Sequence, residues 1–263
     1  MGAPMDEAAR MAAETACARD PASMASAVIV AAGDGLRMGG GVKKQFMLLD
    51  GEPILAMALK AFARAEPVGE IVLVVARGDI GFCERDILPL VAPENASGKA
   101  VSIVPGGGSR QESVACGVAA SDPSYGLIAV HDGARPFIEP SAICAAIGAA
   151  AEAGASCVAV PVTDTIKAVR DGHIEHTLDR EALWAAQTPQ AFRREILVAA
   201  LESASRSGLA ATDDVALAEV IGARARIVRG SYDNIKVTAP RDLDVAKEIL
   251  ARRRRDALRR AAK

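Results

Sequence analysis

An α/β fold, a mostly parallel sheet with helices on both faces, follows from three features of this sequence. The first is a series of short apolar runs at 28–30, 71–75, 101–104, 127–130 and 157–160, rich in valine and isoleucine. Runs of that length and composition suit strands buried on both faces. The second is what separates them, segments of helical period or composition long enough for the crossovers that parallel strands require. The third is size: 263 residues, 51% hydrophobic and 24% charged, suffice for one large domain with a substantial core.

Along the chain, residues 27–31 read as the first strand, and the loop that follows carries Gly33, Gly35, Gly39, Gly40 and Gly41. Glycines there let backbone N–H groups approach anionic oxygens closely. Pro53 opens a helix in which Ile54, Leu55, Ala58, Leu59 and Phe62 supply an apolar face. Ser109 and Glu112 stand at capping-box spacing ahead of Val114 and Val118. The loops at the carboxyl ends of the strands, 32–44, 106–109 and 132–136, should converge on one crevice, where open α/β sheets bind ligands. The alternation breaks after residue 160, where 163–169 and 173–178 flank Asp171-Gly172, a dipeptide suited to a tight hairpin turn. With no second layer to cover Ile166, Val169, Ile174 and Leu178, this hairpin should protrude as an arm, about residues 161–184, and pack on another subunit. Lys236 falls in a short expected strand, 233–238, and 242–263 reads as a helix that buries Leu243, Val245, Ala246 and Ile249. The expected organisation is a poorly ordered N-terminal extension, 1–26, and a single Rossmann-like domain, 27–263, bearing the β-arm.

The formal net charge of −2 argues against a general nucleic-acid binder, so any phosphate site must be a local basic patch. Cys17, Cys83, Cys116, Cys144 and Cys157 are widely spaced and form no C-x-x-C pair, which fits reduced, mostly buried thiols. Asp6, Glu7, Glu14 and Asp20 speak against a signal or transit peptide. No uncharged apolar run reaches the roughly 18 residues of a membrane helix. The expectation is a cytoplasmic protein with small-molecule partners, neither nucleic acid nor membrane.

Three groups carry the chemistry. In the first loop Arg37, Lys43 and Lys44 place positive charge at two separated points beside the glycines, an arrangement that stabilises charge while a phosphate is transferred. The third glycine of the dinucleotide motif G-x-G-x-x-G is replaced by Met38. In the second group, Gly106-Gly107-Gly108-Ser109-Arg110 leads into a capped helix and offers its amides to an anion or the edge of a base. In the third, His131-Asp132-Gly133-Ala134-Arg135-Pro136 ends the fourth strand, where the Asp132 carboxylate could take a substrate hydroxyl or Mg²⁺. His131 reads as a packed strand-end histidine, and His173 and His176 fall on opposite faces of a strand, unlike a zinc pair. The arginines at 252–255 suit a solvated helix end that complements the C-terminal dipole.

Taken in order, AAGDGLRM with Lys44-Gln45, GGGSRQESV, HDGARP, DTIK, LDR, LWAAQTPQ, TDD and DNIKVT make residues 27–250 resemble the 2-C-methyl-D-erythritol 4-phosphate cytidylyltransferases of non-mevalonate isoprenoid synthesis. The resemblance implies a homodimer that joins CTP to a polyol phosphate, methylerythritol phosphate, with Mg²⁺ and release of pyrophosphate. It implies that Arg37 and Lys44 are catalytic cations at the α-phosphate. Ala31, Ala32, Gly33, Gly106, Gly107 and Ser113, with Gly35 and Arg110 in the same loops, would bind the nucleotide. Arg180 and Lys236 would position methylerythritol phosphate, with Arg180 and Thr165 supplied by the arm of the other subunit. Asp132 would face the sugar alcohol and the metal. Two positions depart from the family pattern: Lys43 replaces a customary proline, and Gly108 a larger residue. No second cyclase domain is apparent, so a single activity is expected. Ribitol-5-phosphate cytidylyltransferases share the nucleotide loops, and a nucleotide-binding regulator or dinucleotide oxidoreductase would share only the sheet.

Overall fold

The computed structural model describes residues 21–33 and 43–261. Along the chain the strands are β1 (Ala25–Ala31), β2 (Leu48–Leu49), β3 (Glu52–Pro53), β4 (Val68–Val75), β5 (Ala100–Pro105), β6 (Leu127–Asp132), β7 (Ala155–Pro161), β8 (Lys167–Arg170), β9 (His173–Thr177), β10 (Trp184–Arg193) and β11 (Ala225–Arg229). The longer helices are α1 (Ile54–Arg64), α2 (Arg110–Ala120), α3 (Pro140–Ala153), α4 (Arg194–Ser207), α5 (Asp214–Val220) and α6 (Pro240–Ala261).

Seven strands form one sheet in the order β11-β7-β10-β6-β1-β4-β5. β1 runs parallel to β4 and β6, β4 to β5, and β7 to β11, while β10 lies antiparallel between β6 and β7. The alternation of side chains across the strands divides the core. Ala27, Ile29, Ile71, Leu73 and Val75 face α1 and α3, whereas Val28, Val72 and Val74 face α2, α4 and α5. Both faces are thus covered, as the uniformly apolar strands require. A smaller cluster of Leu49, Ile54, Phe137, Val237, Ala246 and Ile249 seats α6 beside the β2–β3 turn.

Several expectations need correction. Residues 21–26 belong to the domain: Pro21–Ser23 is a 3₁₀ turn, β1 starts at Ala25, and Leu127 N–H donates to Met24 O. The hairpin exists but is shorter on its first side, because β8 begins at Lys167. Its turn is Asp171-Gly172, with φ of 49° and 80°, the left-handed pair that matches strand twist. The segment around Lys236 is irregular, not a strand. In α6, Ala246 and Ile249 are buried as expected, but Val245 is half exposed. Glu112 completes no reciprocal capping box: Ser109 Oγ accepts from Glu112 N–H, while Glu112 Oε2 accepts from Gly108 N–H. β10 was hidden because Gln187, Thr188 and Gln190, all buried, interrupt its apolar pattern.

Candidate active site

The chain steps from β1 to β4 and β5 on one side of β1, then returns to β6 on the other. That reversal opens a crevice at the carboxyl ends of β1 and β6. A cleft of about 500 Å³ lies there, lined by the end of β1 (Val30 to Gly33), Lys44 and Gln45, Ala76 and Arg77, the Gly106–Ser113 turn, Asp132, Ala134 and Lys236.

Its walls are close-packed backbone. A Cβ on Gly106 would stand 2.5 Å from Ala32 Cβ and 2.6 Å from Ser113 Oγ, so only glycine lets these two loops approach so closely. Ser113 Oγ accepts from Gly107 N–H and donates to Ser109 O, which sets the turn on the start of α2. Gln45 ties down the first loop. Its Nε2 donates to Ala31 O at 2.8 Å and to Gly33 O at 3.3 Å. Next to it, Lys43 Nζ pairs with Asp79 Oδ2 at 2.7 Å.

On the opposite wall, Asp132 is 7% exposed and ringed by cations. Lys236 Nζ is 2.9 Å from Oδ2, Arg110 Nε 3.1 Å from Oδ1, and Arg135 Nε 3.6 Å from Oδ2. Burial opposes the charge on Asp132, but Lys236, Arg110 and Arg135 outweigh it and hold the carboxyl pKa well below the ordinary value. Arg110 is itself anchored from behind by the fully buried Asp214, at 3.0 and 2.8 Å, the two-point geometry of a guanidinium on a carboxylate. Burial pushes Asp214 up, against the pull of Arg110. On Arg110 burial is likewise opposed, and there the two carboxylates prevail and raise its pKa. We take the pair as ionic, because a guanidinium bonded at two points leaves the carboxylate both its hydrogen bonds. Asp213 caps α5 through Ala216 N–H, and Gln190 Oε1 accepts from Asp214 and Val215 N–H, so β10 fixes the helix that fixes Arg110.

His131 lies beneath the cleft, fully buried. Its Nε2 faces Arg135 O at 3.2 Å, which makes that nitrogen the donor, and Nδ1 then accepts from Thr188 Oγ1 at 2.9 Å. Thr188 Oγ1 accepts in turn from Asp132 N–H. Every group in this chain is satisfied with the imidazole neutral, and burial lowers its pKa to about 4.

The cleft therefore brings together Ala31, Ala32, Gly33, Lys44, Gly106, Gly107, Arg110, Ser113, Asp132 and Lys236 from the sequence-based set. Arg37 and Gly35 lie outside the described residues. Arg180 and Thr165 are not among the lining residues of their own chain. Arg180 donates to Thr163 O at the base of the hairpin, and both residues are exposed. Sequence reasoning gave no role to Gln45, Arg77, Thr188 or Asp214. Gln45, Thr188 and Asp214 were within quoted motifs, but they bond other residues of the site.

The sequence pattern of the family described as 2-C-methyl-D-erythritol 4-phosphate cytidylyltransferase matches residues 25–252. The chain belongs to this family. A cytidylyltransferase of that name from Pelotomaculum thermopropionicum is 44% identical over 229 residues, covering 87% of this chain and 94% of the relative. A crystal structure of a 4-diphosphocytidyl-2C-methyl-D-erythritol synthase from Anaerococcus prevotii superimposes with a TM-score of 0.76 at 30% identity, covering 87% of this chain and 98% of that one. The cytidylyltransferase of Thermus thermophilus does so with 0.69 at 31% identity, over 87% and 99% of the two chains. The cytidylyltransferase family thus accounts for the sheet and for the cleft at its switch point. No helix among the described residues is long and apolar enough to cross a membrane.

Proposed function

We propose that this protein transfers the cytidylyl group of CTP to 2-C-methyl-D-erythritol 4-phosphate, releasing pyrophosphate, as a step of isoprenoid precursor synthesis. The observation that carries the reading, beside family membership, is the charge of the cleft. Its described lining residues include four cations, Lys44, Arg77, Arg110 and Lys236, and one carboxylate, Asp132, a charge balance suited to bringing two polyanions together.

The phosphate oxygen of the alcohol substrate attacks the α-phosphorus of CTP in line with departing pyrophosphate, and no enzyme nucleophile is needed. Backbone groups of Ala31, Ala32, Gly33, Gly106 and Gly107, with Ser113, hold the nucleotide. Lys44, with Arg37 from the loop, neutralises charge that grows at the α-phosphate; loss of one such contact costs on the order of 10²–10³ in rate. Lys236 receives the phosphate of the alcohol and Asp132 its hydroxyls. Orientation is a separate source of acceleration. A magnesium ion would be held mainly by the substrate phosphates, the usual arrangement for Mg²⁺ with one protein carboxylate, here Asp132, whose oxygens also pair with Lys236, Arg110 and Arg135. When bound, the ion screens the triphosphate and favours departure of pyrophosphate.

Arg180 and Thr165 reach the site from the hairpin of a second copy, which makes the working unit a homodimer. Support comes from the hairpin itself: β8 and β9 pair only with each other as a sheet, and Val169 and Ile174 are 59% and 64% exposed. A cytoplasmic setting is supported by Cys83, Cys116 and Cys157, which are free thiols.

Pyrophosphate-release assays test the reading. With CTP, kcat/KM for 2-C-methyl-D-erythritol 4-phosphate should exceed that for D-ribitol 5-phosphate, and UTP should be poor, by a factor on the order of 10² or more, since a site bonded to the cytosine amino group leaves groups unpaired against uracil. Preference for ribitol phosphate would overturn the choice of alcohol and leave cytidylyl transfer standing.

A further inference from the structure

Lys236 enters the cleft from a segment, 231–238, that belongs to no helix or strand, so its position depends on what grips that segment. Val237 N–H donates to Ala134 O at 2.9 Å, and Arg135 Nη1 to Asn234 O at 2.8 Å. At its start, Asp233 is held by two arginines of α6: Arg252 bonds Oδ1, and Arg253 Nε lies 3.5 Å from Oδ2. Arg253 reaches further. Its Nη2 donates to Phe137 O at 3.1 Å and faces Glu139 Oε1 at 3.1 Å, and its guanidinium carbon lies 5.2 Å from the Phe137 ring centroid. Residues 137 and 139 close the loop that follows Asp132 at the end of β6 and carries Arg135. One guanidinium therefore joins the segment of Lys236 to the loop of Asp132, two pieces of chain remote in sequence that meet again at the 2.9 Å ion pair in the cleft.

We propose that Arg253 is a positioning residue that fixes Lys236 relative to Asp132, and thereby sets affinity for the phosphorylated alcohol while leaving the nucleotide loops alone. The proposal rests on the reading of Lys236 as the receiver of that substrate's phosphate. Its physical basis is the fork: a guanidinium presents donors in several fixed directions and stacks on an aromatic face, whereas an ammonium of equal charge cannot span Asp233, Phe137 O and Glu139 at once. Misplacing a substrate-positioning group by about 1 Å can cost on the order of 10²-fold.

Steady-state kinetics of Arg253→Met and Arg253→Lys, with 2-C-methyl-D-erythritol 4-phosphate and CTP varied separately, test it. The KM for the polyol phosphate should rise about 10-fold or more, with the KM for CTP within about twofold and the thermal midpoint little changed. Asp233→Asn should show the same split, and its effect should not add to that of Arg253→Met, as for two residues in one network. If Arg253→Met does not fold, Arg253→Lys decides, since it keeps the charge and the stem. An unchanged KM for the polyol phosphate in a folded variant overturns the proposal, as does a parallel rise in both KM values together with a fall in thermal midpoint. Lys236→Ala is run alongside. An unchanged KM there would overturn the assignment of Lys236, and this proposal with it, whereas a loss there without a loss at Arg253 overturns the positioning role alone.

Discussion

At the scale of the residue, His131 supports the site without facing the cleft. Its imidazole hands the Thr188 hydroxyl to Asp132 N–H and holds Arg135 O, all in the neutral form, with a pKa near 4 in the fold against about 6.5 in an unfolded chain. Between those values the unfolded chain binds the extra proton, so stability is present above pH 6.5 and is lost as pH falls toward 4, by about 3 kcal/mol in all. Urea unfolding of the wild type in metal-free buffer should show this slope between pH 6.5 and 4. In His131→Gln the slope should be smaller, whatever the absolute stability of that variant. Equal slopes would mean that His131 takes up its proton as readily in the fold as in the unfolded chain. Asp132 and Lys236 were legible in the sequence as charged residues at the end of a strand and before a helix. Thr188, Gln45 and Asp214 were not, because their work is to bond other protein groups across 56, 14 and 104 positions of chain.

At the scale of the element, ends and edges were the hard part. The last carbonyls of α1 have no partner within the helix, and Lys99, just ahead of β5, supplies one: its Nζ donates to Ala63 O at 2.7 Å, Ala65 O at 2.6 Å and Phe62 O at 3.3 Å. Nothing near residue 64 announces this cap, which comes from 34 positions away. Lys99→Met keeps the stem and removes the donors, and should lower unfolding free energy by about 1–3 kcal/mol with kcat unchanged, measured by chemical denaturation and pyrophosphate release. No loss of stability would show that water caps the helix equally well. The strands in apolar runs were legible for the opposite reason: burial on both faces writes itself into local composition. β10 escaped because its buried glutamines and threonine are satisfied by distant groups, among them Asp213, Asn234 and the backbone of Asp214.

At the scale of the whole molecule, the hairpin leaves apolar side chains in water. A two-stranded sheet alone is marginal, and association of two copies, as proposed, would cover Val169 and Ile174. If the arm completes the neighbouring site, inactive Arg180→Ala chains mixed with inactive Lys44→Ala chains should regain activity, because one site of each mixed dimer receives both wild-type residues. Refolding the two together and assaying isolated heterodimers checks this; verified heterodimers without activity would show that each site is made by one chain.

The sequence by itself determined the α/β class, the places of most strands along the chain, the glycine-rich loops and most of the charged residues of the cleft, because each rests on local pattern: strand composition, helix period, turn chemistry. Only the tertiary structure decided that β10 runs antiparallel through the middle of the sheet, that Asp214 stands behind Arg110, and that α6 grips the segment of Lys236. Those arrangements join residues far apart in the chain through hydrogen bonds and ion pairs. A polar side chain carries no local mark of the partner that will satisfy it once the chain has folded.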